Sequence, residues 1–301
     1  MYMDKIIVIV GPTGVGKTKM AIELAKLYHG EIINADAMQV YKGLDIGTAK
    51  VREEEKEDIS HHLFDIKEVE EEYSIYHYQK DCRKKIEEIL SRKKMPILVG
   101  GTGLYIKAAL YDYQLNDGVK NTSKYDKNST EELYQKLIDC DHDSIEKIDR
   151  NNRRRIINAL MYYEENHVSI TKNKTDTLLY DAIFIGLTTE RERLYQMINQ
   201  RVDKMMENGL LSEVEDFYYK KIQTKPLLSG IGYKELYEYL DKKVSLEEAV
   251  ESIKKNSRRY AKRQYTFFRH QLPVYWIETN YQDFNLTVEN AAKYIDKIHN
   301  L

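Results

Sequence analysis

Gly11-Pro12-Thr13-Gly14-Val15-Gly16-Lys17-Thr18 has the spacing G-x-x-x-x-G-K-[ST], which suits one task, the gripping of a phosphate chain. Its glycines let the backbone curl until N–H groups point inward at an anion. A helix beginning near Lys17 adds the partial positive charge of its N-terminus. Lys17 contributes a full charge, and the Thr18 hydroxyl is a hard oxygen donor for Mg²⁺. All eight residues are therefore candidate phosphate or diphosphate ligands. The motif does not name its occupant. ATP or GTP is the ordinary one, yet Leu98-Val99-Gly100-Gly101 lacks the aspartate that usually holds Mg²⁺ in NTPases, a difference shared by some small-molecule kinases. Asn173-Lys174-Thr175-Asp176 fits a guanine-reading NKxD box, but no strong apolar strand precedes it and the chain contains no D-x-x-G. We read that box as a chance match.

Asn34-Ala35-Asp36-Ala37-Met38-Gln39 offers a carboxylate just past a short apolar run. Ligands of open α/β sheets bind beyond the carboxyl ends of strands, so Asp36 is expected to face the phosphates across a cleft. A metal ligand, a general base and a helix cap are all open to it there. His61-His62 is a poor pair of metal ligands, because adjacent residues on one element point in different directions. Cys82 and Cys140 match neither a redox nor a zinc motif, and a reduced, cytoplasmic setting is expected.

Two segments are strongly basic. Residues 147–155 carry Lys147, Arg150, Arg153, Arg154 and Arg155 against the single acid Asp149. Residues 254–269 hold seven basic residues and no acid, with Tyr260, Tyr265, Phe267 and Phe268 interleaved. On a helix Lys254, Arg258 and Lys262 form one row, and Lys255, Arg259 and Arg263 the next. A row without acids repels itself unless an anion neutralises it, which favours contact with a nucleic-acid backbone. The net charge of −2 by itself gives no such hint. The 25 tyrosines read as a compositional bias shared with Lys, Ile and Asn rather than as stacking groups.

The elements that position these residues follow from hydrophobic pattern. Apolar runs at 5–10, 31–35, 95–99, 182–187 and 273–277 read as strands, and helical spacing follows at 17–28 and 80–92. Strands alternating with helices predict an α/β fold, a P-loop NTPase-like parallel sheet flanked by helices. Helical spacing at 131–138, 144–148 and 153–165 suggests a small helical insertion domain at 116–179, splitting the core into 1–115 and 180–301, the latter ending in a helical region. No run approaches the roughly 20 apolar residues that span a bilayer, and the first residues run straight into a strand, so neither membrane association nor a signal peptide is expected.

Together these motifs resemble the tRNA dimethylallyltransferase family, the bacterial tRNA isopentenyltransferases. The matching stretches are GPTGVGKT at 11–18, NADAMQVYKGLDIGTAK at 34–50, HHLFDI at 61–66 and LVGGTGLYIKA at 98–108. They continue with NNRRRIINAL at 151–160, INQRVDKMMENGLL at 198–211, GIGYKEL at 230–236 and AKRQYTFFRHQLPVYWIE at 261–278, in family order over nearly the whole chain. The resemblance implies Mg²⁺, held through Thr18, and transfer of the dimethylallyl group of dimethylallyl diphosphate to the N6 amine of the adenosine next to the anticodon of tRNA, on its 3′ side. By motif position, Asp36 takes the proton from that amine. Thr13 and Arg201 join it as catalytic residues, Arg201 handling the diphosphate. The same positions place tRNA contacts at Asp36, Ala37, Met38, Gln39, Thr102, Arg154, Arg155, Gly230, Gly232, Tyr233, Lys234, Lys262, Arg263, Gln264 and Arg269. The insertion would hold the anticodon arm, and a monomer is expected. Asn158 stands where the family carries arginine, and the segment between Ala109 and Lys147 is shorter than the family pattern. The rival readings are an isopentenyltransferase acting on free AMP, ADP or ATP, a P-loop small-molecule kinase, and a non-catalytic GTP-binding RNA module.

Overall fold

The structure, a computed structural model, describes residues 5–113, 115, 122–171 and 174–299. The chain runs β1 (Lys5–Val10), α1 (Lys17–Leu27), β2 (Gly30–Asn34), β3 (His61–His62), α2 (Ile75–Ser91), β4 (Met95–Val99) and α3 (Gly103–Leu110). Next come β5 (Tyr111–Tyr113), α4 (Thr130–Cys140), α5 (His142–Ile145), α6 (Arg153–Asn166) and β6 (Lys174–Leu178). The remainder is β7 (Asp181–Thr188), α7 (Arg191–Glu207), α8 (Leu210–Tyr219), α9 (Lys225–Ser229), α10 (Tyr233–Leu240), α11 (Leu246–Gln271), β8 (Tyr275–Glu278) and α12 (Phe284–His299). Two compact units emerge: Met1–Leu110 with Tyr180–Leu301, and Tyr111–Leu179.

The larger unit is built on six parallel strands in the order β3-β2-β4-β1-β7-β8. Residues Ile6 to Val10 of β1 are all fully buried, as an uninterrupted apolar run in a doubly covered sheet requires. Ile7, Ile9, Ile32, Ile97 and Ile185 share one core with Met20 and Leu24 of α1 and Val288 and Ala291 of α12, while α2 lies against β2 and β4. This is the flanked parallel sheet expected from the sequence. Some boundaries shift. Helix α2 starts at Ile75, ahead of the charged stretch that signalled it, because the Ser74 hydroxyl accepts the His77 N–H and Tyr78 and Gln79 are buried. Strand β8 begins two residues past Pro273, which has no N–H to give a ladder. β3 is too short to announce itself: His61 pairs with Ile32 and His62 with Ile33.

In the smaller unit, α4 and α6 pack through Leu133, Leu137, Ile156, Ala159 and Leu160. Ser129 caps α4 and Asn152 caps α6 through the Arg155 N–H. β5 and β6 form an antiparallel pair. Lys174 of the NKxD stretch opens β6, while Asn173 lies outside the described residues, as do residues 116–121 of the expected insertion.

Candidate active site

The phosphate loop leaves the carboxyl end of β1 and feeds directly into α1. Gly14 and Gly16 hold φ of +92° and +94°, left-handed values that side chains rarely adopt. A Cβ at Gly16 would also sit 2.8 Å from the Phe284 ring, so α12 fixes the loop from behind. Lys17 Nζ donates to the Pro12 carbonyl at 2.7 Å, closing the loop on itself. Thr13, Gly14, Gly16, Lys17 and Thr18 line a cavity of about 940 Å³. Gly11, Pro12 and Val15 do not; Gly11 is packed against Leu187, and the Val15 carbonyl accepts the Thr279 hydroxyl.

Asp36 reaches the same cavity from the end of β2. It caps no helix. Its Oδ1 accepts the Met38 N–H at 3.0 Å, while the fully buried Asn34 grips its peptide on both sides, accepting its N–H at 2.9 Å and donating to its carbonyl at 3.1 Å. Arg201 enters from α7 along a row with Ile198, Val202 and Met205. Burial holds its guanidinium below the ordinary arginine range, and Asp36 opposes that shift. Lys17 is pushed down to about 7, first by burial and then by Arg201, with Asp36 acting in the opposite sense. Two cations crowded with one carboxylate leave the site electrostatically short of negative charge, which an anion would supply.

The structure brings Met38, Gln39, Gly230, Gly232, Tyr233, Arg263 and Gln264 to this cavity with Thr13, Asp36 and Arg201. Ala37 and Thr102 support its wall: the Ala37 N–H donates to Thr102 Oγ1 at 3.1 Å. Gln39 Nε2 donates to the Thr48 carbonyl, and the buried Tyr233 hydroxyl donates to Glu213, whose carboxylate also accepts the N–H groups of Asp45, Ile46 and Gly47. Lys234 lies 3.5 Å from Glu235. Lys262 and Arg269 are exposed on α11, the latter 5.1 Å from the Tyr265 ring and 5.7 Å from Trp276. Arg154 and Arg155 are exposed on α6 of the smaller unit, while Arg153 is spent on the Asn128 and Tyr125 carbonyls.

The basic rows of α11 are not free of acids in three dimensions. Lys254 pairs with Asp203 at 2.8 Å and Arg258 donates to Asn199, both on α7, leaving Lys255, Arg259, Lys262 and Arg263 exposed. Tyr260 is a site residue the sequence reading passed over. It lines the cavity, lies within hydrogen-bonding reach of Thr102 and Gln264, and has its phenol pKa raised chiefly by burial and also by Asp36. Its spacing of four from Gln264 was the available signal. The His61-His62 pair holds no metal-like cluster: His61 Nδ1 bonds to the Ile59 carbonyl and His62 to Glu31, and no group of three potential metal-holding side chains occurs among the described residues. Among those residues, no helix is long and apolar enough to cross a membrane.

Residues 39–271 match the family model described as IPP transferase. A tRNA dimethylallyltransferase of Anoxybacillus flavithermus is 49% identical over 304 residues, covering 98% of each chain. The solved tRNA isopentenylpyrophosphate transferase of Bacillus halodurans is 40% identical with a TM-score of 0.77, over 99% of this chain and 97% of that one. A eukaryotic dimethylallyltransferase solved in snapshots acting on tRNA is 31% identical with a TM-score of 0.88, over 98% of this chain and 80% of that one.

Proposed function

This chain belongs to the IPP transferase family, and on that premise we propose that it transfers the dimethylallyl group of dimethylallyl diphosphate to the N6 amine of the adenosine beside the anticodon of tRNA. The observation that carries this reading is the meeting of the phosphate loop, Lys17, Arg201 and Asp36 in one cavity. Cleavage of the allylic C–O bond leaves charge on the diphosphate while positive charge grows on the allyl carbon. Loop N–H groups, Thr13, Lys17 and Arg201 are placed to neutralise the leaving group where its charge develops. The adenine amine is a poor nucleophile, since its lone pair is conjugated with the ring. Asp36, held by Asn34 and the Met38 N–H, orients that amine and takes its proton as the C–N bond forms. The target base must leave its stack to enter the cavity.

Thr18 fits Mg²⁺. Its hydroxyl sits exposed in the first turn of α1 on the cavity wall, beside the diphosphate loop. Thr18 would hold Mg²⁺ there through its hydroxyl, a hard oxygen donor. When bound, it supplies further charge neutralisation on the diphosphate.

The tRNA is held by residues 36–39, Thr102, residues 230–234 and the exposed Lys262, Arg263 and Arg269. Arg154 and Arg155 grip the anticodon arm from the helical insertion. We propose that it acts as a monomer, and we place the enzyme in the cytoplasm. The exposed basic row of α11 favours tRNA over a free adenine nucleotide. Incubation with Mg²⁺, labelled dimethylallyl diphosphate and either tRNA or AMP tests the reading: label is expected in tRNA, and label only in AMP would replace tRNA as the acceptor.

A further inference from the structure

Gln264 belongs by motif to an RNA-contacting stretch, and its neighbours Lys262 and Arg263 are exposed. Its own side chain is not; the residue is 4% exposed. The amide points inward from α11. Its Oε1 accepts the Thr13 N–H at 3.1 Å, and its Nε2 donates to the Gly101 carbonyl at 3.1 Å. Thr13 belongs to the loop after β1, and Gly101 to the turn after β4. Gly101 in turn adjoins the base, since a Cβ there would lie 3.6 Å from Asp36 Oδ2.

We propose that Gln264 is a positioning residue of the transfer reaction: its amide ties the diphosphate loop to the Gly101 turn beside Asp36, and so sets the spacing between the leaving group and the base. The inference rests on the function proposed above. The chemistry of the position is restrictive. It requires an acceptor for one backbone N–H and a donor for one backbone C=O on the same short plane. Glutamate lacks the donor, lysine lacks the acceptor, and asparagine is one methylene short. The glycine at 101 is what admits the amide: a Cβ there would fall well inside van der Waals contact with Nε2. Because misplacement of reacting groups by a fraction of an ångström acts on the chemical step, a positioning role appears in kcat, whereas a direct RNA contact appears in KM for tRNA.

The test is Gln264→Met, which keeps length and flexibility and removes both hydrogen bonds, assayed by steady-state transfer to tRNA. The expected result is a kcat lower by roughly tenfold or more, with KM for tRNA within about twofold of wild type. Gly101→Ala, which keeps the glutamine but displaces its amide, is expected to lower kcat similarly, and the double variant to be scarcely worse than the poorer single. A raised KM at unchanged kcat identifies an RNA contact and overturns the proposal, as does an unchanged kcat. Hydrogen exchange of the Thr13 amide gives a reading independent of activity: the variant should exchange roughly tenfold faster, and equal rates overturn the tie itself. If the wild-type enzyme moves no dimethylallyl group, the functional reading fails, and the exchange measurement still decides the tie.

Discussion

Lys17 links the proposed diphosphate site to pH. Its ammonium is pushed down to about 7 in the empty site by burial and by Arg201. A bound diphosphate places negative charge beside it and raises that pKa, so binding takes up a proton wherever free Lys17 is neutral. The sign follows: the Lys17 contribution to affinity is nearly level below pH 7 and falls as pH rises above it. The charged fraction of Lys17 drops from about one quarter at pH 7.5 to about one hundredth at pH 9, so affinity should fall about twentyfold over that window. Phosphate loses its last proton near pH 6, so above pH 7.5 the slope belongs to the protein. Titration calorimetry with an unreactive dimethylallyl diphosphate analogue, in buffers of different protonation enthalpy, should show about 0.9 proton taken up at pH 8. Lys17→Arg, whose charge does not titrate in this range, should abolish both the slope and the uptake. Wild-type affinity constant from pH 7.5 to 9, without proton uptake, would refute the reasoning.

Asp36→Ala should lose roughly 10²–10⁴-fold in kcat while tRNA affinity falls much less; an unchanged kcat in single-turnover transfer removes Asp36 as the base. Replacing Lys262 and Arg263 with alanine should weaken tRNA binding and shallow the log–log salt dependence by about 1.5, which filter binding at several salt concentrations measures; an unaltered slope means that α11 does not touch phosphate. Burial raises the Glu31 carboxyl, but Arg92, His62 and Lys94 outweigh it and hold it down to about 2. Its folded pKa lies below the unfolded value, so its stabilisation is present above about pH 4.5 and lost as pH falls toward 2. Glu31→Gln should therefore cost about 3 kcal/mol in urea unfolding at pH 6 and far less near pH 2, and an equal cost at both would count against the ion cluster.

The parts of this fold that the sequence displays are those whose pattern is local. An apolar run covered on both faces, such as Ile6 to Val10, reads as a central parallel strand, and the glycine and lysine spacing that follows it reads as a phosphate loop. β3 hid because its two residues are histidines held in place by pairing with β2, a contact with residues some thirty positions earlier. α11 misled for the opposite reason. Its basic rows are conspicuous, but Lys254 is answered both by Glu251 one turn earlier, just outside the basic stretch, and by Asp203 on α7, which no helix-by-helix reading reveals. Only its family motif position marks Arg201, since a lone arginine in a charged helix resembles a solvated one until neighbouring elements enclose it in a cavity. Tyr260 and Gln264 share the cavity-facing side of α11, where interleaved charges mask the stripe.

The most direct test is a crystal structure of the enzyme with a tRNA anticodon arm and the unreactive dimethylallyl diphosphate analogue. The account predicts the diphosphate within the Gly11–Thr18 loop, touched by Lys17 and Arg201, and the extruded adenine N6 within hydrogen-bond distance of Asp36. An analogue bound elsewhere, or an adenine whose N6 points away from that carboxylate, would contradict it.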